Sequence, residues 1–203
     1  MSAEVRAAKQ ALRAEVLARR SARDPRSRNR LGGALAAIAV GQPALAASSS
    51  VCGYVGVGTE PVTVPLLDRL RRAGVTVLLP VVAPDRVLDW ARYDGAEALA
   101  PGPYGLLQPP GARLGPDAAA AADVVLVPAL AVDVRGWRLG RGGGYYDRLL
   151  ARLPRAAANG AGSPQAWAVV YDDEVLEEVP HEDHDVAVSA ALTPSALRLL
   201  PDR

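Results

Sequence analysis

The 203-residue sequence has no phenylalanine, one cysteine, one methionine and one lysine. Each scarcity excludes something. A lone Cys52 rules out an intramolecular disulfide framework and any zinc site built from several cysteines, and it suits a reducing, cytoplasmic setting. Charge of one sign is also missing. With 23 basic residues against 22 acidic ones, nothing suggests a polyanion-coating surface, so nucleic acid is not an expected partner. No apolar run approaches the roughly 20 residues of a membrane span. The stretch from Arg28 to Ser48 has the outline of a secretory leader, but Glu4, Glu15 and Asp24 precede it and Gly41-Gln42-Pro43 breaks it, so it reads as helix.

What remains is globular material. Half of the residues are hydrophobic and 22% are charged, which excludes disorder as the main description. The length suits one domain. Apolar spacing predicts a helix over 3–20, with Val5, Ala8, Leu12 and Leu17 near one face, broken by Asp24-Pro25. A second helix is predicted over 27–40, with Leu31, Leu35 and Ile38 inward. Short apolar strands follow at 51–57, 75–79 (ended by Pro80), 88–93 (the more exposed one), 124–127, 166–171 and 186–188. Between them, helices are predicted at 61–72, 118–122 and 144–152, with helical turns at 173–178 and 194–200. Residues 94–117, 129–143 and the turn-rich 159–164 read as loops. The alternation predicts an α/β fold: one three-layer domain with a mostly parallel sheet, helices on both faces, and the two N-terminal helices flanking the sheet.

Such sheets bind ligands at the carboxyl ends of their strands, which directs attention past Val127. There the chain reads Arg138-Leu139-Gly140-Arg141-Gly142-Gly143-Gly144-Tyr145-Tyr146-Asp147. Glycines before a helix let backbone N–H groups approach an anion, and the two arginines offer forks for phosphate oxygens. Asp147, in the first helical turn, suits magnesium, which takes few carboxylates and keeps water and phosphate oxygens. The segment is neither a Walker loop nor a dinucleotide fingerprint, for no Gly-Lys-Ser/Thr closes it and a third glycine would fall on Tyr145. A flexible loop using glycine only to turn is the plain alternative.

The run from Val127 to Arg148 resembles the signature of the 5-formyltetrahydrofolate cyclo-ligase family, also called methenyltetrahydrofolate synthetases. Lys9-x-x-x-Arg13, Tyr54 to Thr63, Val77 to Pro80, Gly105 to Pro109 and His184-Asp185 resemble its other elements in the same order, so the likeness covers nearly the whole chain. It implies a cytoplasmic ligase with ATP as co-substrate and Mg2+ as cofactor. In that reaction the formyl oxygen of 5-formyltetrahydrofolate is phosphorylated, the folate N10 closes the ring, and 5,10-methenyltetrahydrofolate, ADP and phosphate result. A monomer is expected.

Residue by residue, the resemblance implies ATP contacts at Lys9, Arg13, Arg138, Leu139, Gly140, Arg141, Gly142, Gly143, Gly144, Tyr145 and Tyr146. It implies folate contacts at Val55, Glu60 and Arg141 through Tyr145, catalytic roles for Arg141 and Tyr145, and a magnesium ligand in Asp147. Plain readings stand beside these: a solvated basic helix face for Lys9 and Arg13, helix-dipole complements for Glu60 and Asp147, core for Val55. Trp90, Tyr93 and Tyr104 are stacking candidates more often found as core or loop anchors. His181, Glu182, Asp183, His184 and Asp185 read as a polar loop rather than a metal cluster, and Cys52 as a small core residue. Two positions depart from the family pattern: Ser189 stands where an aspartate is usual, and Gln108 where a glutamate is. They motivate an alternative reading, a non-catalytic or altered-substrate member of the fold acting as a nucleotide, folate or RNA binding module.

Overall fold

Strand after strand, the chain alternates its side chains between two apolar layers. A computed structural model describes residues 3–154, 163–182 and 185–201. The elements run α1 (Ala3–Ala22), α2 (Pro25–Val40), α3 (Pro43–Ala46), β1 (Ser50–Cys52), α4 (Val64–Arg72), β2 (Thr76–Val82), β3 (Leu88–Arg92), β4 (Ala100–Pro101), β5 (Leu107–Gln108), β6 (Val124–Pro128), β7 (Ala131–Asp133), β8 (Arg138–Leu139), α5 (Tyr145–Arg152), β9 (Gln165–Val169), β10 (Val175–Leu176), β11 (Ala190–Leu192) and β12 (Leu197–Leu199). The central sheet has the order β12-β11-β9-β6-β1-β2-β3. Its five inner strands are parallel, and the edges β3 and β12 are antiparallel.

Period-2 alternation builds the layers. Val51, Val77, Leu79, Val124, Leu126, Trp167 and Val169 face one side, where Leu35, Ala36 and Ala39 of α2 and Leu66, Leu67 and Leu70 of α4 cover them. Cys52, Leu78, Val125, Val127, Ala166 and Ala168 face the other, against Leu149 and Leu150 of α5 and Ala119 and Ala122 at the Pro116–Ala121 3-10 turn. Helices therefore cover both faces of a mostly parallel sheet, as the sequence predicts.

Several local expectations give way. Asp24 does not merely break α1: its carboxylate accepts from Ser27 N–H at 3.0 Å and caps α2. The strand predicted over 51–57 ends at Cys52, and the helix predicted over 61–72 starts at Val64. Pro80 does not end β2. The β1 pairing stops at Cys52↔Leu78, so from there that side of β2 asks no N–H of Pro80. Trp90 and Ala91 of β3 are fully buried, because the segment leading into the 3-10 turn crosses the strand and Leu114 N–H donates to the Trp90 carbonyl at 2.9 Å. The 94–117 loop contains the β4–β5 hairpin. The 129–143 loop contains β7 and β8, and β10 stands in the predicted 173–178 turn; the three form a second sheet, β10-β7-β8. The last parallel strand is at 190–192 rather than 186–188, and 194–200 holds strand β12 rather than a helical turn. Most of the predicted 159–164 linker lies outside the described residues.

The inward face of α1 differs most. Ala8 is exposed, and the buried positions are Lys9, Val16 and Arg20. Val16, with Leu12 and Leu17, packs on Leu130, Ala131, Leu139 and Val179, so α1 covers the small sheet rather than the central one.

Candidate active site

The strand order reverses between β1 and β6, where β1 is followed in space by β2 on one side and by β6 on the other. Crevices open at such points. A cleft of about 380 Å³ lies there, beyond the carboxyl ends of β1, β2 and β6. Tyr54, Val55, Val57 and Glu60 form one wall, Pro128 to Leu130 the floor beyond β6, and the glycine-rich segment the opposite wall.

Two glycines of that segment have positive φ, Gly142 at 99° and Gly144 at 74°. Side chains resist this region, so the loop requires glycine to turn into α5. Gly144 caps α5 without a side chain, which leaves the first-turn N–H groups open toward the cleft. Arg13 of α1 holds the loop from behind, its Nε donating to the Gly140 carbonyl at 2.9 Å.

Arg141 Nε donates to Glu60 Oε1 at 2.8 Å and joins the two walls. The other oxygen of Glu60 accepts from Val57 N–H at 3.0 Å. Arg138 is almost wholly buried and donates to Asp147 Oδ1 at 2.7 Å. Burial pushes the Arg138 guanidinium below its ordinary pKa, while Asp147 and Asp185 work in the opposite direction. Tyr146 sits well above its ordinary value because it is desolvated and near Glu60. Tyr145 and Tyr104 share a hydrogen bond at the rim.

The structure therefore brings Val55, Glu60, Arg138, Gly140 to Tyr146 and Asp147 to one cleft. Arg13 stands behind the loop. Leu139 points away into the core under α1, and Lys9 is also off the cleft wall, paired with Asp185 at 2.6 Å and Glu182 at 3.6 Å. Trp90 and Tyr93 are buried in the core, whereas Tyr104, 82% exposed, lines the mouth. Cys52 is core, its thiol pushed up to about 12 by burial. His181 stacks on Trp137 with ring centroids 4.3 Å apart. Asp183 and His184 lie outside the described residues. Ser189 donates to the Ala166 carbonyl at 3.1 Å, and Gln108 folds over Gly102.

Sequence reasoning missed three features. Arg20, fully buried, lines the cleft and grips Glu174 with two hydrogen bonds of 2.7 Å, plus a third to the Ala129 carbonyl. Asp133, also fully buried, accepts from the N–H groups of Arg135, Trp137 and Val179 and pins the small sheet. Tyr54 lines the cleft with its hydroxyl buried. Arg20 was hidden among many arginines, and its partner is 154 residues away.

Among the described residues no group of three or more His, Cys, Asp or Glu side chains could hold a metal ion, so no resident metal cage exists there. A half-exposed carboxylate such as Asp147 fits the chemistry of a magnesium ion, which takes few carboxylates and keeps water or phosphate ligands. No helix is long and apolar enough to cross a membrane among the described residues.

Residues 5–194 match the family described as the 5-formyltetrahydrofolate cyclo-ligase family. The chain is 46% identical over 150 residues to the 5-formyltetrahydrofolate cyclo-ligase of Mycolicibacterium smegmatis, covering 71% of this chain and 73% of the relative. It is 29% identical over 187 residues to the enzyme of that name from Escherichia coli, covering 87% and 95%. The solution structure of Aquifex aeolicus 5,10-methenyltetrahydrofolate synthetase superposes with a TM-score of 0.78 at 28% identity, over 96% of this chain and 94% of that one.

Proposed function

Because the chain belongs to the 5-formyltetrahydrofolate cyclo-ligase family, enzymes that convert 5-formyltetrahydrofolate to 5,10-methenyltetrahydrofolate, we propose that it performs this reaction in the cleft between β1 and β6 with ATP as co-substrate. The observation that carries the reading is the 2.8 Å contact of Arg141 with Glu60. It joins a glycine-rich, anion-suited wall to a carboxylate-bearing wall, as a site for a polyphosphate beside a hydrogen-bonding heterocycle requires.

The geometry supports an assignment of roles. Gly140 to Gly144 and the open N–H groups at the start of α5 receive ATP phosphates, with Arg138 and Arg141 supplying charge. Tyr146 closes the cleft beneath the nucleotide. Arg13 fixes the loop through Gly140, and Leu139 fixes it by packing into the core. Lys9 adds positive charge beside Asp185 on the flank. Val55 and Glu60 receive the folate ring, together with the backbone of 141–145. Asp147 would hold Mg2+, which would supply charge neutralisation for the phosphoryl group.

The formyl oxygen takes the γ-phosphoryl group of ATP and ADP leaves. N10 attacks the activated carbon and loses its proton, and the former formyl oxygen departs in phosphate. Arg141 and Tyr145 border the reacting atoms. Arg141 stabilises phosphoryl charge and Tyr145 lines the transfer path with a hydroxyl. No protein nucleophile is required, which agrees with a buried, protonated Cys52. Catalysis rests on positioning two substrates in one cleft. We place the reaction in one cytoplasmic domain acting as a monomer.

The test is direct. Purified protein, 5-formyltetrahydrofolate, ATP and magnesium are mixed, and the near-ultraviolet band of the methenyl product is followed. ATP-dependent growth of the band is expected. Folded protein that gives a flat trace would favour the binding-module reading, to which the absence of a carboxylate at Ser189 is the relevant observation.

A further inference from the structure

We propose that Tyr54 sets the ring specificity of the cleft: its hydroxyl donates to the carbonyl acceptor of the substrate's bicyclic ring, beside the carboxylate of Glu60. This rests on the folate reading above and deepens it.

The chain has six tyrosines. Four of their hydroxyls have protein partners. Tyr93 donates to Asp68, Tyr171 donates to the carbonyls of Thr59 and Glu60, and Tyr104 and Tyr145 bond each other. The other two, Tyr54 and Tyr146, have buried hydroxyls with no hydrogen-bond partner among the described residues, and both line the same cleft. A buried hydroxyl left unmet lowers the stability of the fold. Tyr54 is only 4% exposed and its ring packs in the core. An apolar ring would fill that place at lower cost, so packing alone does not explain the oxygen.

Tyr54 is also placed for the task. It precedes Glu60 by six residues on the wall that follows β1, and its backbone is fixed by Thr63, which donates to the Tyr54 carbonyl and accepts from Gly56 N–H at 3.0 Å. Desolvation, reinforced by Glu60, raises its pKa well above the ordinary tyrosine value, so the group stays a donor. Glu60 uses one site on each oxygen for Arg141 and Val57, and a carboxylate offers about four sites. Acceptor capacity therefore remains on Glu60, next to a donor on Tyr54. A 2-amino-4-oxo pterin presents the complementary edge: amino and ring N–H donors beside a carbonyl acceptor. Tyr146 belongs to the glycine-rich wall at the start of α5 and is also near Glu60, so Tyr146→Phe is the comparison that separates the two hydroxyls.

The experiment measures binding of 5-formyltetrahydrofolate and of its 4-amino analogue, in which the carbonyl acceptor becomes a donor, to the wild type, Tyr54→Phe and Tyr146→Phe. Tyr54→Phe is expected to weaken the oxo compound about tenfold, to leave the amino compound unchanged, and to leave KM for ATP unchanged. The unliganded melting temperature should stay the same or rise, since no protein contact is lost. Equal weakening of both compounds, an unchanged Kd for the oxo compound, a shift in the ATP KM instead, or a lower melting temperature would each overturn the assignment. Wild-type protein that is folded yet binds no 5-formyltetrahydrofolate would overturn the folate reading itself, an outcome distinct from wild-type binding that Tyr54→Phe leaves intact.

Discussion

Lys9 Nζ lies 2.6 Å from Asp185 Oδ2, joining the first helix to a segment 176 residues later in the chain. Glu182 stands 3.6 Å from the same ammonium, and Asp185 also accepts from Glu182 N–H at 2.9 Å. The side chains of Lys9 and Asp185 are 10% and 9% exposed, so this is a desolvated pair rather than a surface ornament. The only lysine of the chain is thus a structural tie at the flank of the site as well as a nearby positive charge.

Removing the ammonium takes from Asp185 and Glu182 the cation they share in a desolvated place, which costs more than the pair is worth. Lys9→Met should therefore lower unfolding stability by about 3 kcal/mol. Lys9→Arg, which keeps the charge, should lose much less. Urea denaturation with an unchanged m-value reads this out. If Lys9→Met unfolds at the wild-type midpoint, the pair is not a structural tie.

Arg20 and Glu174 are both fully buried and doubly hydrogen-bonded. Arg20→Met is expected to cost about 3–5 kcal/mol, because Glu174 would keep, among the described residues, only Tyr171 N–H as a donor. The double replacement Arg20→Met/Glu174→Leu should recover part of that loss, since it leaves no unpaired charge. Chemical denaturation of the two single variants and the double variant closes the cycle. Simple additivity would show that the two side chains are energetically independent.

Acid sensitivity has a named contributor at the opposite end of the sheet. Asp123 accepts from the Ser50 and Ser49 N–H groups and from the Ser49 hydroxyl, at 3.0, 2.7 and 3.1 Å. These bonds, the one from Ser50 N–H foremost, hold its carboxyl below the ordinary value against the opposing effect of burial. A depressed folded-state pKa stabilises the fold above the unfolded value near ~3.9, and that stability is lost as pH falls through the folded value. Asp123→Asn should therefore melt below the wild type at pH 7. The gap should narrow as the pH drops below about 4. Parallel melting curves with a constant gap would remove Asp123 from the acid response.

The central sheet was legible because short, continuous apolar runs along β1, β2, β6 and β9, separated by helices, report strands buried on both faces. The glycine-rich wall was legible because it is contiguous. What escaped depends on pairings that no local pattern carries. β8 and β10 are two residues long and show no period. Asp133, which pins them, looks like any loop aspartate until Val179 folds onto it. The buried stripe of α1 is charged because it meets carboxylates and a carbonyl, so apolar spacing selected Ala8, which is exposed, and passed over Lys9 and Arg20. Val186 to Val188 reads as a strand on composition, yet Val188 N–H donates to the Gly136 carbonyl, outside the central sheet, and the ladder starts two residues later.

Arg141 and Asp147 separate catalysis from stability. The side chain of Arg141 is 49% exposed and that of Asp147 is 43% exposed, so their ion pairs with Glu60 and Arg138 are screened at least on one side. Arg141→Ala should shift stability by less than about 1 kcal/mol. It should also lower the turnover of 5-formyltetrahydrofolate by about 100-fold or more, because charge on the moving phosphoryl group loses its guanidinium. Asp147→Asn should behave differently. Turnover should fall at low magnesium and recover in part as magnesium is raised, since under the proposed role the lost ligand would act on an ion that keeps other ligands on the nucleotide. Magnesium titrations of both variants, with melting curves beside them, distinguish the two roles. A loss in Arg141→Ala that magnesium restores, or a loss in Asp147→Asn that magnesium leaves untouched, would exchange or cancel the assignments.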